Sequence, residues 1–343
     1  MVSAEQGARR QSHSLLQRVL NLSLVIIAIA VSLLVFPSVL LWMVAAWLAI
    51  GSWQILRGRS SWLPLAACVA VLVIKRPDWS PAMMLLGVAL VAAAVLFLWR
   101  GRRSARESFT QKAARLTIGV VWLVWLIAVW ESYESCHARR PLSLHPMQPI
   151  VCVGDSLTTG LTTKEAYPDY LQELVSVPVV NLGRAGVTAR DMTKHLPEIL
   201  ERQPQGVVIE FGGHDFLRGY GRESTRESLL QIIEACRAAG AKVVLMEIPR
   251  GFITDPFSGL ERELAREYDL ELIPDSTIRM LVVRSPAIPL VGDVTKPHWS
   301  DDGLHPNVDG ARMMADVVYR ALQGIYGPTI TAERPGTPRA GSQ

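Results

Sequence analysis

Two hydrophobic patterns divide the chain. Between residues 19 and 130, long apolar runs are broken only by short basic clusters. From residue 149 onward, short apolar segments alternate with amphipathic ones. A membrane span needs about 20 mostly apolar residues. The first pattern offers five candidates, at 19–36, 38–56, 62–74, 81–99 and 116–130. Pro37 separates the first two, and the third is the shortest. Trp62, Trp79, Trp99 and Trp130 stand near span ends, as interfacial anchors do. Further apolar runs follow the first one, which therefore reads as a span and not as a cleaved signal.

Charge sets the expected orientation. Arg100, Arg102, Arg103, Arg106, Lys112 and Arg115 precede the last span, whereas Glu131 and Glu134 follow it. Basic loops stay on the cytoplasmic side. The chain beyond Glu131 is then extracytoplasmic, and Arg9, Arg10, Arg18, Arg57 and Arg59 lie inside. Lys75 and Arg76 fall outside, against the rule. No span holds an acidic residue or a histidine. Transport and proton relay depend on such groups. The spans read as an anchor in the lipid bilayer, with lipid handling or partner docking as the alternative.

In the second half, strands are expected at 150–153, 178–182, 207–211, 242–248 and 271–274. Helices are expected at 166–175, 189–201, 224–239, 258–268 and 309–322, the fourth opened by a capping box of Ser258 with Glu261. Continuous apolar strands alternating with helices predict an α/β domain whose five-stranded parallel sheet is covered on both faces. The expected organisation is a membrane region 1–130, an irregular tether 131–148, an α/β domain 149–325 and a tail 326–343. The Pro-, Gly- and Ser-rich part from 329 predicts disorder.

Composition narrows the partners. Of 343 residues half are hydrophobic, and the net charge is +4. There is no basic stripe interleaved with aromatics, which disfavours nucleic acid. Cys68, Cys136, Cys152 and Cys236 have neither metal-site nor disulfide-framework spacing. Cys68, Cys152 and Cys236 read as small buried hydrophobes. Cys136 could form a disulfide outside the cytoplasm, though nothing argues for one.

In a parallel sheet, ligands bind at the carboxyl ends of the strands. Four polar blocks fall at or near these ends: Gly154-Asp155-Ser156-Leu157, Asn181-Leu182-Gly183-Arg184-Ala185-Gly186, Gly212-Gly213-His214-Asp215, and Asp301-Asp302-Gly303-Leu304-His305-Pro306-Asn307 before the last helix. Ser156 stands at a strand-to-helix turn, where the helix N-terminus favours developing negative charge. A serine hydroxyl needs an adjacent base. His305 is offered with a carboxylate three residues earlier, so Asp302 can orient its ring and stabilise its protonated form. Gly303 lets this loop fold back. Taken singly, Ser156 could be a helix N-cap and His305 a surface histidine. Together with the other blocks they form a catalytic set.

The stretches VCVGDSLTTGL, VVNLGRAG, VVIEFGGHDFLRG and KPHWSDDGLHPN resemble the GDSL/SGNH hydrolase superfamily, and within it the acyl thioesterase/lysophospholipase/arylesterase branch. The resemblance covers the second half and none of the spans. It implies an SGNH-type three-layer α/β/α domain, a Ser156–Asp302–His305 triad and no cofactor or metal. It also implies an oxyanion hole made by the backbone N–H groups of Ser156 and Gly183 and the side chain of the third block. There the family carries Asn and this chain carries His214. An imidazole also offers one N–H, on a larger and differently angled ring. His214 can donate, can sit aside and leave two backbone donors, or can mark a loss of activity.

The expected reaction is acyl transfer from an ester or thioester to water through an acyl-enzyme on Ser156. Phe252, Ile253 and Phe257 are candidates for an acyl site, or else pack their loop down. Substrates of lipid origin compete with O-acetyl groups on envelope polysaccharide. A non-catalytic binding domain is the reading from another class. His298 reads as a cleft-shaping loop residue and His195 as solvent-facing. Asp215 can hold the third block by accepting backbone N–H groups. Arg184 and Arg218 can bind an anionic group or lie solvated.

Overall fold

The computed structural model describes residues 40–57, 62–75, 77, 79–101, 107–134, 137, 142–161, 165–251, 254–285 and 298–332. The chain divides into an N-terminal helical unit and a C-terminal α/β unit.

The helical unit holds α1 (Leu40–Leu56), α2 (Trp62–Lys75), α3 (Pro81–Gly101) and α4 (Glu107–Glu134). Helix α2 packs against both α1 and α3. Val44, Leu48, Leu65, Leu86 and Val121 are among its buried residues. Two indoles tie α4 to α1: Trp125 Nε1 donates to the Leu41 carbonyl at 2.7 Å and Trp122 Nε1 to Ser52 Oγ at 3.0 Å. The outer faces are apolar too, with Val88, Val95, Leu116, Leu123 and Trp130 exposed. Pro81–Trp99 and Gln111–Glu134 are long and apolar enough to cross a membrane, by length and composition; α1 and α2 are shorter. The expected span at 19–36 lies outside the described residues.

The α/β unit is built on five parallel strands: β1 (Ile150–Gly154), β2 (Val179–Asn181), β3 (Gly206–Glu210), β4 (Lys242–Met246) and β5 (Glu271–Ile273). They lie in the order β2-β1-β3-β4-β5. The order reverses between β1 and β3, and the crevice beyond their carboxyl ends is where such sheets bind ligands. Alternate side chains feed two cores. On one face Cys152, Val208 and Met246 meet helices α6 (Tyr167–Leu174), α12 (Ser276–Val283) and α13 (Val308–Tyr326). On the other, Val153, Ile209 and Leu245 meet α10 (Arg222–Ala238) and α11 (Leu260–Tyr268). Cys152 and Cys236 are buried free thiols in these cores, and burial pushes both up to about 12.

Several local expectations are corrected. The helix expected at 189–201 is split into α7 (Ala189–Met192), a 3-10 turn (Thr193–His195) and α8 (Leu196–Glu201). Pro197 has no N–H to continue the ladder, so the helix restarts with the proline in its first turn. The Ser258–Glu261 capping box is absent. Helix α11 begins after Gly259, and Glu261 turns inward to pair with Arg250, both side chains being 1% exposed. The tether is shorter than 131–148. Helix α4 runs to Glu134, and Gln205 binds both the N–H and the carbonyl of His145, at 2.9 Å each. The ordered domain also extends past 325. Ile330 is fully buried, and Thr331 bridges to Val175.

Candidate active site

Ser156 opens the short helix α5 (Ser156–Thr159), directly after β1. Its Oγ lies 3.0 Å from His305 Nε2. The helix N-cap is Asp155, whose Oδ1 accepts the Leu157 N–H at 3.1 Å. Capping is therefore done by the neighbouring aspartate, and the serine hydroxyl faces the imidazole. Ser156 is 6% exposed.

Asp302 divides its work between two oxygens. Oδ1 accepts the Ser300 hydroxyl at 3.1 Å, the Leu304 N–H at 2.8 Å and the His305 N–H at 2.7 Å. Oδ2 lies 2.6 Å from His305 Nδ1. One oxygen folds the loop, and the other orients the ring that it presents. Gly303 sits at φ 83°, which this reversal requires. Partial burial pushes the Asp302 carboxyl up, but the bonds from the His305 ring, the two N–H groups and Ser300 outweigh it. They hold it well below the usual carboxylate range. Asn307 closes the loop: Oδ1 caps α13 through the Gly310 N–H at 3.1 Å, and Nδ2 donates to the His298 carbonyl at 3.0 Å. His298 thus contributes its backbone, and its side chain is exposed.

The oxyanion donors need revision. Ser156 stands at the first position of its helix, where an N–H has no intrahelical acceptor. The Gly183 N–H, expected as the second donor, is already taken by Asn181 Oδ1 at 2.9 Å. An Asn side chain readily closes such a turn on the N–H two residues on. In the same loop Leu182, Arg184 and Val187 donate to backbone carbonyls. The Ala189 N–H goes to Asp215 Oδ2 at 2.9 Å. The N–H groups of Ala185 and Gly186 are without a partner among the described residues. His214 is the second residue of the short helix α9 (Gly213–Leu217) after β3, and its ring makes no hydrogen bond among the described residues.

Other candidates settle into structure. Asp215 links the third block to the start of α7 through Ala189, and burial raises its carboxyl. Arg184 pairs with Glu198 at 2.5 Å. Arg218 pairs with Asp191 at 3.0 Å and donates to the Gly186 carbonyl at 2.7 Å. His195 Nδ1 is 3.8 Å from Glu198. Phe257 is 3% exposed and packs edge-on to Phe216 beneath Arg250, so it belongs to the core and does not form an open wall. Phe252 and Ile253 lie outside the described residues. Apolar side chains exposed in or beside the blocks include Leu161, Phe216, Leu217, Leu304 and Val308. Leu161, Phe216, Leu217 and Leu304 lie inside the stretches that carry the family resemblance. Among the described residues no group of three His, Cys, Asp or Glu side chains could hold a metal ion.

The second half of the chain is similar to known proteins. The model of the GDSL-like Lipase/Acylhydrolase family matches residues 152–313. Thioesterase 1/protease 1/lysophospholipase L1 of Escherichia coli (strain K12) is 32% identical over 187 residues, which are 51% of this chain and 84% of the relative. An arylesterase of Vibrio mimicus is 28% identical over 189 residues, covering 51% of this chain and 88% of the relative. A crystal structure of TesA shares 26% identity, with a TM-score of 0.43, over 52% of this chain and 99% of that one. The chain belongs to the GDSL/SGNH family of ester hydrolases.

Proposed function

We propose that the chain is a membrane-anchored serine hydrolase that removes acyl groups from lipid esters or thioesters outside the cytoplasm. The observation that carries the reading is the continuous contact from Asp302 Oδ2 through the His305 ring to Ser156 Oγ, at 2.6 and 3.0 Å. Ser156 attacks the carbonyl while His305 Nε2 takes its proton. Asp302 stays ionised and stabilises the imidazolium. His305 then returns the proton to the leaving alcohol or thiol, and activates water to release the acid from Ser156. The developing oxyanion is met by the Ser156 N–H, by the N–H of Gly186 or Ala185, and by the ring N–H of His214.

The names of the relatives, thioesterase, lysophospholipase and arylesterase, support an acyl substrate. So do the exposed Leu161, Phe216, Leu217 and Leu304, which offer an acyl chain apolar contact. Anchoring is supported by helices that are apolar both inside and outside, since lipid is the solvent for which an apolar exterior costs nothing. Purified in detergent, the chain should hydrolyse p-nitrophenyl butyrate and octanoate and deacylate a lysophospholipid. Activity confined to acetyl esters would move the substrate to O-acetylated polysaccharide. Inactivity on every ester and thioester tried would remove the enzymatic reading.

His214 has its own test. Losing one oxyanion donor costs about 10²–10³-fold in turnover. His214→Ala should therefore lower kcat by about 10²-fold, and His214→Asn should preserve or raise it. An alanine variant as active as the parent would exclude His214 from the hole. Orientation is tested separately: a reporter fused after residue 140 should be active only in an extracytoplasmic format. A cytoplasmic signal would reverse the assigned topology.

A further inference from the structure

The triad does not account for Glu210. It ends β3 as a single acid in the otherwise apolar run Gly206–Glu210, and it is fully buried. Isolated buried carboxyls are disfavoured, so its partners have a reason to be there. The sheet register sets Glu210 opposite Gly154, the first glycine of the nucleophile block. Glu210 Oε2 accepts the Asp155 N–H at 3.0 Å and the Thr158 hydroxyl at 3.0 Å. Those two donors stand on either side of Ser156. A Cβ at Gly154 would overlap both the Glu210 carboxyl and the Thr158 hydroxyl. Glycine is required there because a side chain from the next strand occupies the space. The turn is held from outside as well, by Asn181 Nδ2 on the Thr158 carbonyl at 3.1 Å. Burial, and then the charge of Asp155, raise the Glu210 carboxyl well above its ordinary range. Among the described residues, Glu210 Oε1 has no hydrogen-bond partner.

We propose that Glu210 is a positioning residue for the hydrolytic reaction, gripping residues 155–158 so that Ser156 Oγ stays on His305 and the Ser156 N–H stays aimed at the oxyanion. It touches no reacting atom and acts only through the turn. Misplacing a reacting group by an ångström can cost about 10²-fold. The inference rests on Ser156 being the nucleophile, so its test reads that hydroxyl in two ways.

The full chain in detergent is assayed for kcat and KM on p-nitrophenyl butyrate, and for the rate of covalent labelling by a fluorophosphonate. Glu210→Ala should lower kcat and the labelling rate together by about 10–10²-fold, with KM within about twofold. Glu210→Gln keeps an acceptor oxygen for both donors and should restore most of the loss. Thr158→Val removes one of the two contacts and should lower kcat by about fivefold, the kinetic equivalent of one neutral hydrogen bond. A folded Glu210→Ala variant within about twofold of the parent in both rates overturns the proposal. So does a Gln variant as slow as the alanine one. If the alanine variant fails to fold, Thr158→Val decides, and an unchanged kcat there overturns it. A parent chain that labels at Ser156 but hydrolyses no ester would sink the substrate reading alone, leaving the labelling rates to judge Glu210.

Discussion

Ser156→Ala is expected to lower ester hydrolysis by about 10⁴–10⁶-fold while the protein remains folded. The two halves of that expectation have separate causes. The Ser156 hydroxyl contacts His305 Nε2, and the fold around it is carried by other groups: Asp155 caps the helix and Glu210 holds the turn. Removing one oxygen therefore costs little structure. Chemically it removes the atom proposed to form the acyl-enzyme. The oxyanion donors and His305 persist, and these explain why a residual rate is expected. The check is kcat for p-nitrophenyl butyrate beside a thermal melt of each protein. A variant with an unchanged melt and a rate within about tenfold of the parent would remove Ser156 from the mechanism.

Asp302→Asn should cost about 10⁴-fold in kcat, with little change in KM. The reason lies in the division between the two carboxylate oxygens. Oδ1 is fixed by three donors, from Ser300, Leu304 and His305. An asparagine must place its carbonyl oxygen there, which turns its NH₂ toward His305 Nδ1. The ring then accepts at Nδ1, carries its proton on Nε2, and cannot take one from Ser156. The loop survives and the base is lost. The pH dependence follows from the sign of the shift. A carboxyl held below its ordinary range contributes stability that is present above that range and is lost as pH falls through the lowered value. Asp302 therefore stays ionised through mild acid, and the acid limb of activity belongs to another group. Comparing pH profiles of the parent and Asp302→Asn checks this. An asparagine variant with full activity would refute the assigned role.

The site was largely legible because its blocks are short, polar and placed at strand ends. Ser156, Asp302 and His305 were offered as a set by residue type, position and the family resemblance, and the fold brings them into contact although Ser156 and His305 are 149 residues apart. Three features were hidden. Gly183 reads as a donor until Asn181 folds back onto its N–H. Phe257 reads as a pocket wall until it is seen packed against Phe216. Glu261 reads as a capping residue until Arg250 reaches it from eleven positions away. Each is a choice between two local uses of one group. Local pattern cannot make that choice, because both uses satisfy the same donor or bury the same surface.

The sequence by itself determined the division into an apolar half and an α/β half, the number of strands and the candidates for nucleophile, base and orienting acid. These follow from hydrophobic period and residue chemistry, which are properties of contiguous segments. Only the tertiary structure decided which N–H groups remain free for an oxyanion, and why Gly154 must be glycine. Those depend on β3 lying beside β1, where Glu210 meets a turn 55 positions earlier. The free donors are those that the bonds of the 181–189 loop leave over, and that remainder exists only once the strands have paired.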